Sequence, residues 1–246
     1  MKIKLEHKGE NYQADLAKPI DLSIPVGQVN CFYAPPLEAS PYRSGGFIGS
    51  VKAGAPVNFF NVKFNPHGNG THTECMGHIS EKQYSVNKYL KQFHFFAKLI
   101  SVVPEVKNGD QIITKKSIEN IIPGNIEEAL IIRTLPNTIK KTTRNYSGAN
   151  PPYFDKNAIG YMVEKGVKHL IVDLPSIDRE EDGGALAGHK TFWQYPDENR
   201  LDCTITELVY IPENIKDGIY WLNLQVAAFE LDASPGRPVI YEMRRI

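Results

Sequence analysis

Apolar residues in this 246-residue chain come in runs too short for long helices and well suited to strands. Residues 96–103, 129–133, 169–174, 207–211, 218–224 and 238–241 each supply four to eight positions rich in β-branched, leucine and aromatic side chains. Helical periodicity is confined to a short stretch near residues 117–122 and a pattern that starts at Asp155, passes Ile159, Met162 and Val163, and stops near Gly166. At the amino terminus, residues 2–6 alternate polar and apolar, residues 8–11 read as a turn, and residues 12–16 complete a hairpin. The expected fold class is α/β: a single domain built on a mixed sheet, with more strand than helix. Residues 26–56 are rich in glycine, proline and serine but interspersed with Phe32, Tyr33, Tyr42 and Phe47. They read as a long ordered loop of the kind that forms lids or pocket walls.

Charge narrows the partner. Lysine plus arginine number 28 and aspartate plus glutamate 28, so no net field favours nucleic acid or an acidic membrane surface. No apolar stretch approaches the roughly 20 residues that span a bilayer. Cys31, Cys75 and Cys203 are too few and too scattered for a disulfide framework, and the mixed charge of residues 1–7 does not make a secretory signal. A cytoplasmic protein acting on a small molecule is the expectation.

The chemistry concentrates in residues 68–78, which place His72, Glu74 and His78 just after an apolar run at 57–64 that reads as a strand. In an extended chain, side chains at 72, 74, 76 and 78 project to one side. Two imidazoles and a carboxylate on one surface suit a divalent cation such as zinc, which binds such atoms at about 2.0–2.2 Å. Downstream, His189 follows the acidic, glycine-containing loop 178–184. Glu207 opens an apolar strand, where a carboxylate is out of place unless paired or metal-bound.

These residues carry a family resemblance. Gly70-Thr-His-Thr-Glu74 with His78, Asp173-Leu-Pro-Ser-Ile-Asp178, His189 and Thr206-Glu-Leu208 resemble the cyclase family that includes bacterial kynurenine formamidase and isatin hydrolase. Ile20-Asp-Leu-Ser-Ile-Pro25 and Ala233-Ser-Pro-Gly-Arg-Pro-Val239 are similar to that family's two ends. The resemblance implies a swivelling β/β/α fold, hydrolysis of an amide bond with one or two Zn2+ or Mn2+ per chain, and a homodimer or homotetramer. It implies His72 and Glu74 as metal ligands, His78 as a second-metal ligand or general base, and His189 and Glu207 as completing the site. Arylformamidase action, on a formamide such as N-formylkynurenine, is the implied activity, with His78 or His189 exchanging the proton.

The family motif, His-x-Gly-Thr-His-x-Asp-x-Pro-x-His, is not fully kept. Its first histidine falls on Gly68, its aspartate on Glu74 and its proline on Met76. His67 lies one residue upstream, with the wrong parity for a strand, and a β-bulge at the flanking glycines restores its facing. Failing that, the site binds metal through His78, His189 and Glu207 or binds none. If it binds none, the chain is a small-molecule binding relative without catalysis. A cysteine nucleophile at Cys75 is a third reading, opposed by alternation, which turns Cys75 away from His72. Backbone amides near 68–70 are candidate oxyanion donors, and Phe47, Phe60, Trp193 and Tyr195 are candidates to hold an aromatic substrate.

Overall fold

The computed structural model describes residues 1–197 and 200–246. Among them, seven strands close into a barrel. Their order is His72–Glu74, Ala233–Arg245, Gly218–Val226, His94–Val102, Ala129–Thr134, His169–Val172 and Thr204–Glu207, which returns to His72–Glu74. Three of the pairings are parallel and four antiparallel, so the sheet is mixed as expected. The parallel strand Ala129–Thr134 is buried along its whole length, which explains why it reads as a continuous apolar run and not an alternating one. Its Ile131 and Ile132 join Leu99, Ile100, Leu170, Ile171, Phe192 and Trp193 in the main core.

The amino-terminal hairpin forms as expected, Lys2–His7 against Glu10–Asp15, and extends the sheet by pairing with Met243–Arg245. Lys8 and Gly9 both have positive φ, 51° and 77°, the pairing that tight two-residue hairpins need. Both expected helices are present. Thr114 caps Lys115–Ile121, and the Asp155 carboxylate accepts from Ala158 N at 2.6 Å to start Lys156–Glu164. No helix among the described residues is long and apolar enough to cross a membrane.

Three expectations are corrected. Residues 26–56 are not a plain loop. They carry most of an arm in which Glu38–Pro41 pairs with Phe60–Lys63, and Arg43–Ser44 with Phe47–Ile48. The run at 57–64 contributes only the four-residue strand Phe60–Lys63, and all four residues are exposed. Its apolar side chains decorate a ribbon standing off the barrel, so hydrophobicity there does not mean burial. Finally, Glu207 ends its strand and does not open it. Leu208 switches to φ 55°, its amide bonded to Leu174 O at 2.9 Å, and Leu208, Val209 and Ile211 continue buried but outside that ladder.

Candidate metal centre

The barrel's closing seam builds the site. His72 has two direct cross-strand neighbours, Glu207 on one side and Pro235 on the other. Side chains of directly opposed residues share a face, so Glu207 is placed beside His72 although 135 positions separate them. Glu74, two residues on, shares that face as period-two alternation requires. Thr73 points the other way and meets the Thr206 hydroxyl at 2.8 Å. Alternation ends there. Met76–His78 is a 3-10 turn, Met76 is fully buried in the core, and His78 reaches the site from the turn and not from a strand.

His67 also reaches the site, and by a route that strand parity does not describe. Residues Pro66–Asn69 form one helical turn, with Pro66 at its first position and the Asn65 carboxamide accepting from Gly68 N at 3.1 Å. Helical side chains are staggered by about 100°, so no bulge is required. His67 Nδ1 lies 3.1 Å from Glu74 Oε2, and the His67 and His72 rings are 5.0 Å apart.

His189 comes from the short helix Ala187–Trp193. Asp178, which the sequence reading quoted only as part of a motif, fixes it. One carboxylate accepts from Gly188 N at 2.6 Å, from His189 N at 3.1 Å and from His189 Nδ1 at 2.7 Å. Nε2 of His189 is thereby aimed at Glu74 Oε1, 3.0 Å away, and at Glu207 Oε1, 3.9 Å away. Glu207 Oε1 is itself held by Ile177 N at 3.1 Å. A residue that sequence reasoning missed entirely, Asp232, closes the outer side. Its Oδ2 lies 2.9 Å from His67 Nε2 and 3.4 Å from His78 Nδ1. No local pattern marks Asp232 as part of a site, because only the fold brings it to its histidines.

The floor of the site is buried. His72, Glu74, Glu207 and His189 are each no more than 3% exposed, whereas His67, His78 and Asp232 form a partly open mouth. Burial alone raises a carboxylate's pKa, but His78, His189 and His67 outweigh it and hold Glu74 well below the usual range. Glu207 goes the other way, raised by burial and then by the charge of Glu74. Burial would lower His189, but hydrogen bonds to Asp178 and Glu74 bring it up to about 10. His67, likewise opposed by burial, is raised to about 10 by Asp232 and Glu74.

This donor set fits a divalent cation. His72 Nδ1 lies 3.1 Å from Gly70 O, which can only accept, so Nδ1 carries the proton. In the neutral ring Nε2 then presents a lone pair. It is buried without a hydrogen-bond partner and faces Glu207 Oε2 at 3.5 Å. A lone pair held against a buried carboxylate is unfavourable unless a cation lies between them. His67, His72 and Glu74 form one group with ligand atoms close enough to share an ion, and Glu74, His78 and His189 form another. Imidazole and carboxylate donors suit zinc or manganese.

Other sequence candidates are placed elsewhere. The Gly68 amide is engaged by the Asn65 cap and is not a free oxyanion donor. Trp193 is fully buried, donates from Nε1 to Cys203 O at 3.0 Å, and backs His189 at 5.5 Å between rings. Tyr195 packs against the core, and Phe47 and Phe60 belong to the exposed arm. Cys75 is buried, donates to Tyr84 O at 3.4 Å, and has its thiol pushed up to about 12 by burial, so it is no nucleophile.

The family model "Putative cyclase" matches residues 20–179, well over half of the chain. The fold is similar to that of a "predicted metal-dependent hydrolase from Bacillus stearothermophilus", with TM-score 0.64 and 16% identity, covering 91% of this chain and 98% of that one. It is similar to an isatin hydrolase bound to the product analogue thioisatinate, with TM-score 0.65, 14% identity and coverage of 92% and 93%. Isatin hydrolase A from Labrenzia aggregata, bound to benzyl benzoate, gives 0.67, 14%, 92% and 95% in the same order. At these identities the likeness is one of fold. No curated protein matches the sequence at a significant level.

Proposed function

The chain belongs to the cyclase family, and from that premise we propose that it is a metal-dependent hydrolase of a small amide, formamide or cyclic amide. The observation that carries the reading is the partnerless His72 Nε2, buried against Glu207 where a cation completes the contact. His67, His72, Glu74, His189 and Glu207 would hold one or two ions, Zn2+ or Mn2+. When bound, such an ion acts as a Lewis acid on a carbonyl and lowers the pKa of water from 15.7 toward about 7.

The chain's own residues divide the remaining tasks. Glu74 faces His67, His78 and His189 at once, which suits a bridging carboxylate. His189 is locked on both nitrogens and buried, so it fits a holding role better than a moving one. His78 is the candidate for proton transfer. It is 30% exposed at the mouth, and its Nε2 stands 3.8 Å from Glu74 Oε2. The buried floor keeps water away from the ligand atoms and strengthens each electrostatic contact there.

Arylformamidase action on N-formylkynurenine and ring opening of isatin are the two substrates to assay first. The reading of a metal-free binding relative rested on the loss of a ligand at Gly68, and His67, with Nδ1 3.1 Å from Glu74 Oε2, supports the metal-binding reading over it. The test combines metal analysis of protein purified without an affinity tag with turnover by wild type, His72→Ala and Glu74→Ala. About one or two zinc or manganese per chain, and activity lost in both variants, is the expected result. Unchanged turnover in both variants would remove these residues from the mechanism. Assembly as a homodimer or homotetramer belongs to the same proposal and is read by light scattering. The exposed Phe59, Phe60 and Val62 of the arm are the surface that supports it.

A further inference from the structure

We propose that Asp232 is a positioning residue for the metal site, the one carboxylate that fixes the orientation and tautomer of both His67 and His78. The inference rests on the metal-hydrolase reading and goes beyond its ligand set. A neutral imidazole that turns one nitrogen's lone pair inward, to an ion as His67 would or to a proton in transfer as His78 would, carries its own proton on the other nitrogen, and a carboxylate accepting that proton sets the ring's angle and basicity.

The geometry meets this requirement twice with a single oxygen. His67 turns Nδ1 inward to Glu74 Oε2 at 3.1 Å and Nε2 outward to Asp232 Oδ2 at 2.9 Å. His78 does the reverse, with Nε2 inward to the same Glu74 oxygen at 3.8 Å and Nδ1 outward to the same Asp232 oxygen at 3.4 Å. The two rings therefore need opposite tautomers, and an acceptor-only oxygen behind both supplies both. Across the site, Asp178 stands in the same relation to His189, accepting from Nδ1 while Nε2 faces Glu74.

An ion could instead sit on the outer side, between His67 Nε2, His78 Nδ1 and Asp232, whose ligand atoms are also mutually close. Burial decides against that arrangement. Asp232 is 35% exposed and can be satisfied by water, whereas Glu74 is 1% exposed and cannot. With His67 Nδ1 turned to the ion's ligands and His78 Nε2 turned inward for proton transfer, Asp232 is left as the orienting group.

The backbone holds Asp232 to this task. Its carbonyl accepts from Cys75 N at 2.9 Å, and the carbonyl of Cys75 accepts from His78 N at 3.0 Å, so Asp232 is tied to the turn that carries His78. His67 has greater need of such support than a strand residue would. It enters from a single helical turn outside the barrel ladder, where no sheet register fixes its ring.

The test uses the full chain, with Asp232→Asn, Asp232→Ala and Asp232→Glu, and Zn2+ as the probe in competition with a chromophoric chelator. Expected are wild-type stoichiometry, a Zn2+ affinity about 10–100-fold weaker in the Asn and Ala variants, and partial recovery with Glu. The Co2+-substituted Asn variant should show an altered visible absorption spectrum. A cooperative unfolding transition in excess chelator checks that the variant folds, with a midpoint lowered by loss of the Asp232 contacts to His67 and His78.

Zn2+ affinity equal to wild type in the Asn and Ala variants overturns this inference while leaving the hydrolase reading intact. Loss of a whole equivalent of Zn2+ makes Asp232 a ligand and overturns the positioning role. A wild-type chain that binds no zinc or manganese refutes both.

Discussion

Replacing Gly68 by histidine would restore the family's motif, and the structure predicts that it damages the protein instead. A Cβ at position 68 would overlap the methyl of Ala34, far inside the roughly 3.5–4.0 Å at which carbons meet, and come to 3.2 Å from Cys31 O. The turn at 31–34 cannot simply retreat, because Cys31 N donates to Gly68 O at 2.9 Å. Overpacking of this kind costs about 1–3 kcal/mol, and breaking the Cys31 bond adds about 1 kcal/mol. Against this stands a gain of about 0.5–1 kcal/mol for a non-glycine residue in a helical turn. The net expectation is a loss of about 1–3 kcal/mol for Gly68→Ala and for Gly68→His alike. Urea unfolding in excess chelator measures it without contribution from bound metal. Ala34→Gly should relieve the overlap, so the Ala34→Gly/Gly68→Ala double variant should be more stable than additivity allows. Under the proposed ligand set, Gly68→His should also add no metal, because His67 Nδ1 already lies 3.1 Å from Glu74 Oε2. A Gly68→His protein as stable as wild type and binding zinc more tightly would refute both the packing argument and the role given to His67.

Three further outcomes follow from particular contacts. His169 is buried against Phe95, bonded to Thr204 Oγ1 at 2.9 Å, and pushed down to about 4 by burial. Its folded pKa lies below the unfolded value of about 6.5, so the unfolded state takes the proton first and stability falls as pH drops from 6.5 toward 4. Between pH 7.5 and 5 wild type should lose about 2 kcal/mol more than His169→Gln in paired urea titrations, and parallel curves would contradict this. Thr71 is the clasp behind the site, its hydroxyl accepting from Ile24 N at 2.7 Å and donating to Leu208 O. Thr71→Val should cost about 2–4 kcal/mol by orphaning both groups, and should weaken zinc binding because Leu208 follows Glu207 directly. Destabilisation with unchanged zinc affinity would separate the two effects and discard the second. Asp178→Asn should weaken zinc binding about 10–100-fold by releasing His189, which chelator competition reads; an unaltered affinity would mean that His189 is not oriented through Asp178.

Legibility in the sequence followed the range of the interactions involved. Barrel strands such as 129–134 and 169–172 were visible because burial on both faces leaves an unbroken apolar run. The arm misled for the same reason, since Phe60 and Val62 are apolar without being buried. His72 and Glu74 could be paired from alternation alone, because two residues of one strand need no knowledge of the rest of the fold. That rule failed one step outside the strand. His67 looked misplaced because parity was applied to residues that Asn65 and Pro66 turn into a helix, although an Asx cap followed by proline is itself a helix-start signal that precedes the histidine. Asp232 was beyond any such rule. Its partner His67 lies 165 positions away along the chain, and the interaction follows from how elements pack, not from a residue pattern. Of the candidate site only His72 and Glu74 follow local periodicity, whereas His67, His78, His189 and Glu207, like the carboxylates that aim the histidines, answer to the turns and the closed barrel.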